Sequence, residues 1–464
     1  MKYVSTRGDA PQLSFCDTVL AGLANDGGLY LPAEYPQFSP DQIRAMRGKP
    51  YAEIAIEVMW PFTGGEIERA AFEQIVREAY ATFNHRAVCP LVQLDNNLHV
   101  LELFHGPTLA FKDVAMQLIA RLMDHILSER DERATIVGAT SGDTGGAAID
   151  AFAGRDRTDM FILFPNGRVS PVQQRQMTTS TAANVHALSI EGNFDDCQAL
   201  VKDMFNHADF RHEVGLSGVN SINWARIMAQ IVYYFSSAVT LGAPERPISY
   251  SVPTGNFGDI LAGYVAKRMG LPIDKLVIAT NENDILKRTL ETGVYETLGV
   301  VKTTSPSMDI QVSSNFERLL FEVHDRDAAA VKGAMDSLKQ SGRFEISDAP
   351  LSAIRNGFAA GRASNTETAQ VIARYHNENG YLLDPHTAIG VHVGEAHGHH
   401  SVPMVVLGTA HPAKFPAAVE EAVNISPPLP EHLTDLMDRE ERFVPLASDL
   451  KIVEDHISQN RRAA

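Results

Sequence analysis

Lys112 is the only lysine between Lys49 and Lys202. It stands in the run His105-Gly106-Pro107-Thr108-Leu109-Ala110-Phe111-Lys112-Asp113, just ahead of Val114-Ala115-Met116. Partial desolvation in so apolar a stretch lowers a lysine's pKa and frees its neutral amine, the form a Schiff-base nucleophile requires. A solvated lysine at a helix start is the plainer reading of the same residues. Two Gly-rich turns bear on the choice. Ser141-Gly142-Asp143-Thr144-Gly145-Gly146 follows the strand-like run Thr135–Gly138, and Pro253-Thr254-Gly255-Asn256-Phe257-Gly258-Asp259 follows Ile248–Val252. Each opens a helix-like stretch, where glycines admit a ligand close to the backbone and free N–H groups with the helix dipole favour an anion. Consecutive amides of that kind nest a phosphate without a formal positive charge.

Other readings of these turns compete. Gly138, Gly142 and Gly145 do not have the Gly-x-Gly-x-x-Gly spacing of a dinucleotide site, and the chain has no Gly-x-x-x-x-Gly-Lys-Ser/Thr. A tight turn that binds nothing explains either loop alone. Two such loops at strand ends, where α/β folds place ligands, favour a phosphorylated ligand or cofactor. A fourth segment, Leu407-Gly408-Thr409-Ala410-His411-Pro412-Ala413-Lys414-Phe415, puts a hydroxyl, an imidazole and an amine at another strand end. Alone it reads as a capped helix start with Pro412 at the first helical position. His392, His397, His399 and His400 match no metal-ligand spacing, and Gly394 and Gly398 suggest a solvated loop rather than a metal site.

The elements that must position these segments alternate strand, turn and helix, the pattern of parallel βαβ units. Residues 1–95 read as a mostly helical domain. A first α/β domain, 96–215, carries Lys112 and the Ser-Gly-Asp-Thr-Gly loop. A second, 216–430, carries the Gly-Asn-Phe-Gly loop and a helical insertion at about 284–380, and 431–464 reads as a charged C-terminal extension. The 464 residues allow two or three domains with sizeable cores. A net charge of −17 disfavours nucleic acid and anionic membrane as partners. Cys16, Cys89 and Cys197 form neither a disulfide framework nor a Cys-x-x-Cys site. With no signal-like N-terminus and no membrane-length apolar run, a cytoplasmic enzyme is expected.

Together the four segments resemble the threonine synthase family, within the fold type II enzymes that use pyridoxal 5′-phosphate. The resemblance extends to Met1-Lys2-Tyr3-Val4-Ser5-Thr6-Arg7-Gly8, Asp26-Gly27-Gly28-Leu29-Tyr30 and Asn220-Ser221-Ile222-Asn223-Trp224-Ala225-Arg226. It implies that Lys112 carries the cofactor, that Gly255, Asn256, Phe257, Gly258 and Asp259 hold its phosphate, and that Thr409 faces its pyridine nitrogen. It also implies two parallel-sheet α/β domains and a carbon–oxygen lyase that turns O-phospho-L-homoserine and water into L-threonine and phosphate. Many fold type II enzymes have Asn where Asp143 stands, and a carboxylate cannot donate to the cofactor's 3′-oxygen unless protonated. For the substrate, Thr140, Ser141, Asp143 and Thr144 are the expected contacts, with Asn223, Arg226 and Lys414 for its phosphate. A phospho-lyase yielding 2-oxobutyrate, ammonia and phosphate is the nearest alternative. A nucleotide- or phosphate-binding protein without this cofactor is the alternative of another class.

Overall fold

The computed structural model describes residues 1–399 and 401–462, and His400 lies outside them. Two sheets organise the chain. The larger runs in the order Phe358–Arg362, Ile273–Thr280, Ile248–Pro253, Met404–Gly408, Leu98–Glu102, Leu91–Asp95. All its neighbours are parallel except the last pair, a hairpin turned at 96–97. The smaller is wholly parallel, in the order Val444–Ala447, Val185–Glu191, Thr158–Pro165, Ala134–Ala139, Leu216–Ser217. Thr158–Pro165, Ile248–Pro253 and Met404–Gly408 are buried at every position, as strands covered on both faces must be. Accordingly Met160–Phe164 and Met404–Leu407 read as unbroken apolar runs, while Ile248–Pro253 buries the serines that alternate with its apolar residues.

Helix Trp224–Thr240 is buried around nearly its whole circumference, consistent with a helix that is apolar on all sides. Through it one continuous core joins Tyr3, Phe15 and Phe62 near the N-terminus to Met116 and Ile119 of helix Lys112–Glu129. The N-terminal stretch is helical, as expected, with a two-stranded ribbon of Tyr3–Ser5 and Tyr30–Pro32.

Several expectations change. The boundary placed near residue 95 falls inside the Leu91–Asp95/Leu98–Glu102 hairpin, so the strand before Lys112 belongs to the sheet that carries the Gly255 loop. The stretch 284–380 is not purely helical. It includes the ribbon Val294–Glu296/Arg343–Glu345 and the edge strand Phe358–Arg362, and 297–305 and 309–315 are irregular on either side of one short turn, Pro306–Met308. The C-terminal segment is built in: Val444–Ala447 edges the small sheet, and Val453 and Ile457 of helix Leu450–Asn460 pack with Leu188 and Cys197. His392 and His397 lie on helix Pro385–His397 rather than in a loop. Among the described residues no helix is long and apolar enough to cross a membrane.

Arg318 locks these parts together. Fully buried, it donates to the carbonyl of Tyr30 at 2.7 and 3.0 Å and to that of Ile222 at 2.6 Å, and it also bonds the Asn315 amide oxygen. Arg318→Met strands those carbonyls in a dry site and is expected to cost about 2–5 kcal/mol of unfolding free energy. Urea denaturation measures it, and a loss under about 1 kcal/mol would show that the lock contributes little.

Candidate active site

The C-terminal ends of both sheets face a common cavity of about 980 Å³. Ala139, Thr140 and Pro165 line it from the small sheet, and Pro253, Thr254 and Thr409 from the large one. Lys112, Asp143, Arg226 and the Gly255–Asp259 loop complete the wall.

The turn that presents Lys112 is pinned on both sides. Ala110 bridges to Ala410, the Phe111 N–H donates to the Thr409 carbonyl at 2.9 Å, and the His411 N–H donates to the Leu109 carbonyl at 3.0 Å. Asp113 folds back to accept from the Thr108 N–H at 2.8 Å and its hydroxyl at 2.6 Å. Gly106 is required there, since a Cβ would stand 2.5 Å from the Asp113 side chain.

Lys112 Nζ lies 3.2 Å from Asp143 Oδ2, and Asp143 Oδ1 lies 3.0 Å from Lys414 Nζ. Gln173 Nε2 also donates to Oδ1 at 2.8 Å. One buried carboxylate thus sits between two buried ammonium groups. Burial alone would raise its pKa, but Lys414, Lys112 and Gln173 outweigh that and hold it well below the usual carboxylate range. Lys112 is pushed down, first by burial and then by the charges of Lys414 and Arg226, against the pull of Asp143. Asp143 therefore contacts Lys112 as an acceptor, which answers what an Asp does in the Ser-Gly-Asp-Thr-Gly loop. Thr140 shapes that loop by accepting from the N–H groups of Gly142 and Gly145, both at 3.0 Å, while Ser141 and Thr144 line the cavity.

On the opposite wall, the carbonyl of Gly255 is taken by the Ser313 hydroxyl, and that of Asn256 by the Asn315 N–H and side-chain amide, both at 3.0 Å. The N–H groups of Gly255, Asn256, Phe257, Gly258 and Asp259 donate to nothing among the described residues. Phe257 takes φ +63 with its ring buried against Phe316 and Phe358, so packing holds a non-glycine residue in the left-handed region. These consecutive free donors at a helix start suit a phosphate.

Two expected substrate contacts are corrected. Asn223 does not line the cavity: it caps helix Trp224–Thr240 by accepting from the Ala225 N–H at 2.9 Å and spends its amide on the Val19 carbonyl at 2.9 Å. Lys414 is 0% exposed, and besides Asp143 it donates to the Thr108 carbonyl at 2.6 Å and Gln176 Oε1 at 2.8 Å. Its three protons are used, so it supports Asp143 and has none left for a substrate. Arg226 does reach the cavity wall, and its guanidinium has no partner among the described residues.

Sequence reasoning missed Arg168, which is exposed at the cavity and forms no ion pair among the described residues, and His386. His386 Nδ1 lies 2.8 Å from Asp384, and Nε2 accepts from the Ser307 N–H at 3.3 Å, fixing the Pro306–Ile310 wall. Asp384-Pro385 was a legible helix start, but nothing in the spacing tied it to this cavity.

Family models described as Threonine synthase N terminus, Pyridoxal-phosphate dependent enzyme, and Threonine synthase, C-terminal match residues 2–80, 84–337 and 387–457. The threonine synthase of Pseudomonas aeruginosa is 53% identical over 99% of this chain and 98% of its own. The chain belongs to the threonine synthase family of pyridoxal-phosphate-dependent enzymes. Among solved structures, the chain is similar to the pyridoxal-phosphate-bound threonine synthase of Brucella melitensis, at 69% identity and TM-score 0.99 over 100% of both chains. It is also similar to the yeast threonine synthase, at 40% identity and TM-score 0.94 over 99% and 98%. The residues present fit the family's cofactor: free amides for its phosphate on one wall of the cavity, a buried amine on the other, and the Thr409 side chain between strand end and cavity.

If Lys414 depresses the Lys112 pKa by charge, Lys414→Met relieves a like charge and raises it. In cofactor-free protein, the rate of amine labelling at Lys112 is expected to rise with pH about one unit later in the variant, read by peptide mass spectrometry. Superposable profiles would break the link between the two lysines.

Proposed function

We propose that this chain converts O-phospho-L-homoserine and water to L-threonine and phosphate. The observation that carries the proposal is one cavity holding a buried lysine opposite a row of free amides, in a chain matched end to end by threonine synthases. When bound, pyridoxal phosphate supplies an electron sink that stabilises negative charge on an amino acid joined to its aldehyde.

The chain's own residues supply the rest. Lys112 is assigned the covalent link to the cofactor and, once released, the transfer of protons at the substrate's Cα and Cβ. Asp143 holds the resulting ammonium in place between transfers, and Lys414 keeps Asp143 charged and fixed. Thr409 is assigned to the pyridine nitrogen, where a neutral hydroxyl favours a weaker sink than a carboxylate would. Ser141 and Thr144 are assigned to the substrate's polar groups. Arg168, unpaired at the rim, takes its phosphate, for which a guanidinium offers paired donors. A cytoplasmic setting is supported by three buried cysteines, all free.

The test is phosphate release from phosphohomoserine with amino-acid analysis of the product. Threonine is expected from the wild type, and at least about a thousandfold loss of rate from Lys112→Ala. Borohydride is expected to fix the cofactor onto Lys112, adding its mass there. Release of 2-oxobutyrate and ammonia in place of threonine would overturn the proposal. Arg168→Ala is expected to raise KM for phosphohomoserine about tenfold with kcat within about twofold. An unchanged KM would remove Arg168 from the site.

A further inference from the structure

Behind the turn that presents Lys112 lies a second cavity, of about 850 Å³. One strap of backbone divides the two. Phe111, Lys112 and Thr409 line the first cavity, whereas Leu109, His411 and Pro412 line the second, and the His411 N–H donates to the Leu109 carbonyl at 3.0 Å between them. A volume of this size suits a small molecule, since ligand sites typically measure roughly 300–1,000 Å³. The chemistry of the first cavity makes no use of it.

Four rings follow one another along its wall. Their centroids lie 5.0 Å apart from His85 to His105, 5.1 Å from His105 to Phe104 and 5.5 Å from Phe104 to His411. Glu102 joins that arc, its Oε2 2.6 Å from His105 Nε2 while Oε1 accepts from the Tyr381 hydroxyl at 2.7 Å. These groups are open to a ligand, with 13% of the Glu102 side chain and 24% of that of His105 exposed. Pro427, Pro428 and Pro430 also line the cavity, and prolines hold that stretch in a fixed shape. Gathered histidines suggest a metal, yet among the described residues no group of three His, Cys, Asp or Glu could hold an ion.

The charge of the lining selects among ligands. It includes the carboxylates of Glu102 and Glu431 and neither lysine nor arginine. Burial would raise the Glu102 pKa, but the bonds from His105 and Tyr381, with the imidazole of His85 nearby, hold it below the ordinary carboxylate range. His411 is pushed down to about 4, first by burial and then by His105, and so is neutral at pH 7. An anion meets no lysine or arginine there, whereas a cation meets an ionised carboxylate and the faces of aromatic rings. We propose that this second cavity is an effector site for a small organic cation, an ammonium group on an apolar body. The ammonium lies by Glu102 and the ring arc, and the body lies on the prolines. Leu109 and His411 belong both to this wall and to the strap, so an occupant braces the turn of Lys112 and the two cavities are coupled.

The test is calorimetry on the holoenzyme with benzyltrimethylammonium, a quaternary cation that cannot form an imine with the cofactor. Benzyl alcohol is the neutral control and benzoate the anionic one. The cation is expected to bind at least about tenfold tighter than either control. Glu102→Gln keeps the shape of the side chain and is expected to abolish that preference while leaving benzyl alcohol within about twofold. Asn84→Trp, at an exposed residue of the lining, is expected to fill the cavity and weaken the cation at least about tenfold with Glu102 intact, so the test stands even where Glu102→Gln fails to fold. Coupling is expected to make the cation bind at least about fivefold tighter to holoenzyme than to cofactor-free protein. Equal binding of the three probes, a preference for benzoate, a preference for the cation that survives both substitutions, or one Kd for both forms of the protein would overturn the inference. No arm depends on the product made in the first cavity.

Discussion

Asp143 carries opposite demands. It is a carboxylate buried between two ammonium groups, held ionised in a dry site by both and compensating each of them in turn. Three elements on one wall of the cavity serve that arrangement. The small sheet ends at Thr140 and delivers Asp143 on the first turn of a helix, and the hairpin of the large sheet leads into the turn that delivers Lys112. The last strand of the large sheet delivers Lys414, whose ammonium ties the Thr108 carbonyl to Gln176 on helix Pro171–Thr178. Removing Asp143 would leave two buried ammonium groups without a counter-charge, and removing either lysine would leave Asp143 with a single ammonium partner.

Net charge describes the outside of this molecule, not its site. A chain at −17 presents, at the Gly255–Asp259 loop, main-chain donors that suit an anion, with the carbonyls of Gly255 and Asn256 tied to Ser313 and Asn315. This confines the positive potential to a few ångströms, where a scatter of lysines would have spread it over the surface.

How much was legible depends on whether a residue's partners are near it in sequence. Lys112, the Gly255–Gly258 loop and Thr409 each sit in a contiguous segment whose chemistry is local, so strand, turn and helix start could be read together. Asn223 and Lys414 were misread because a polar side chain far from its partners says nothing of where they are: Val19 for one, Thr108, Gln176 and Asp143 for the other. The run 297–315 read as helical insertion because its order comes from side chains. Asn281, Asn283 and Thr303 converge on Asp309 at 2.7–3.1 Å and leave no periodicity to detect. Strand order was out of reach for a related reason. Leu98–Glu102 pairs with Met404–Gly408, some three hundred residues later, and nothing in either run names so distant a neighbour.

That pairing has a bearing on how the molecule is born. Met404–Gly408 lies inside the large sheet, between Ile248–Pro253 and Leu98–Glu102. At about 5–20 residues per second, translation runs for roughly 8–30 s after residue 253 before that strand exists. Through the interval two flanking strands present open edges, the condition in which nascent chains need chaperone cover. The turn of Lys112 waits as well, since Ala410 and His411 fasten it. Until roughly the last tenth of the chain is made, the turn that bears Lys112 lacks the backbone partners that fix it.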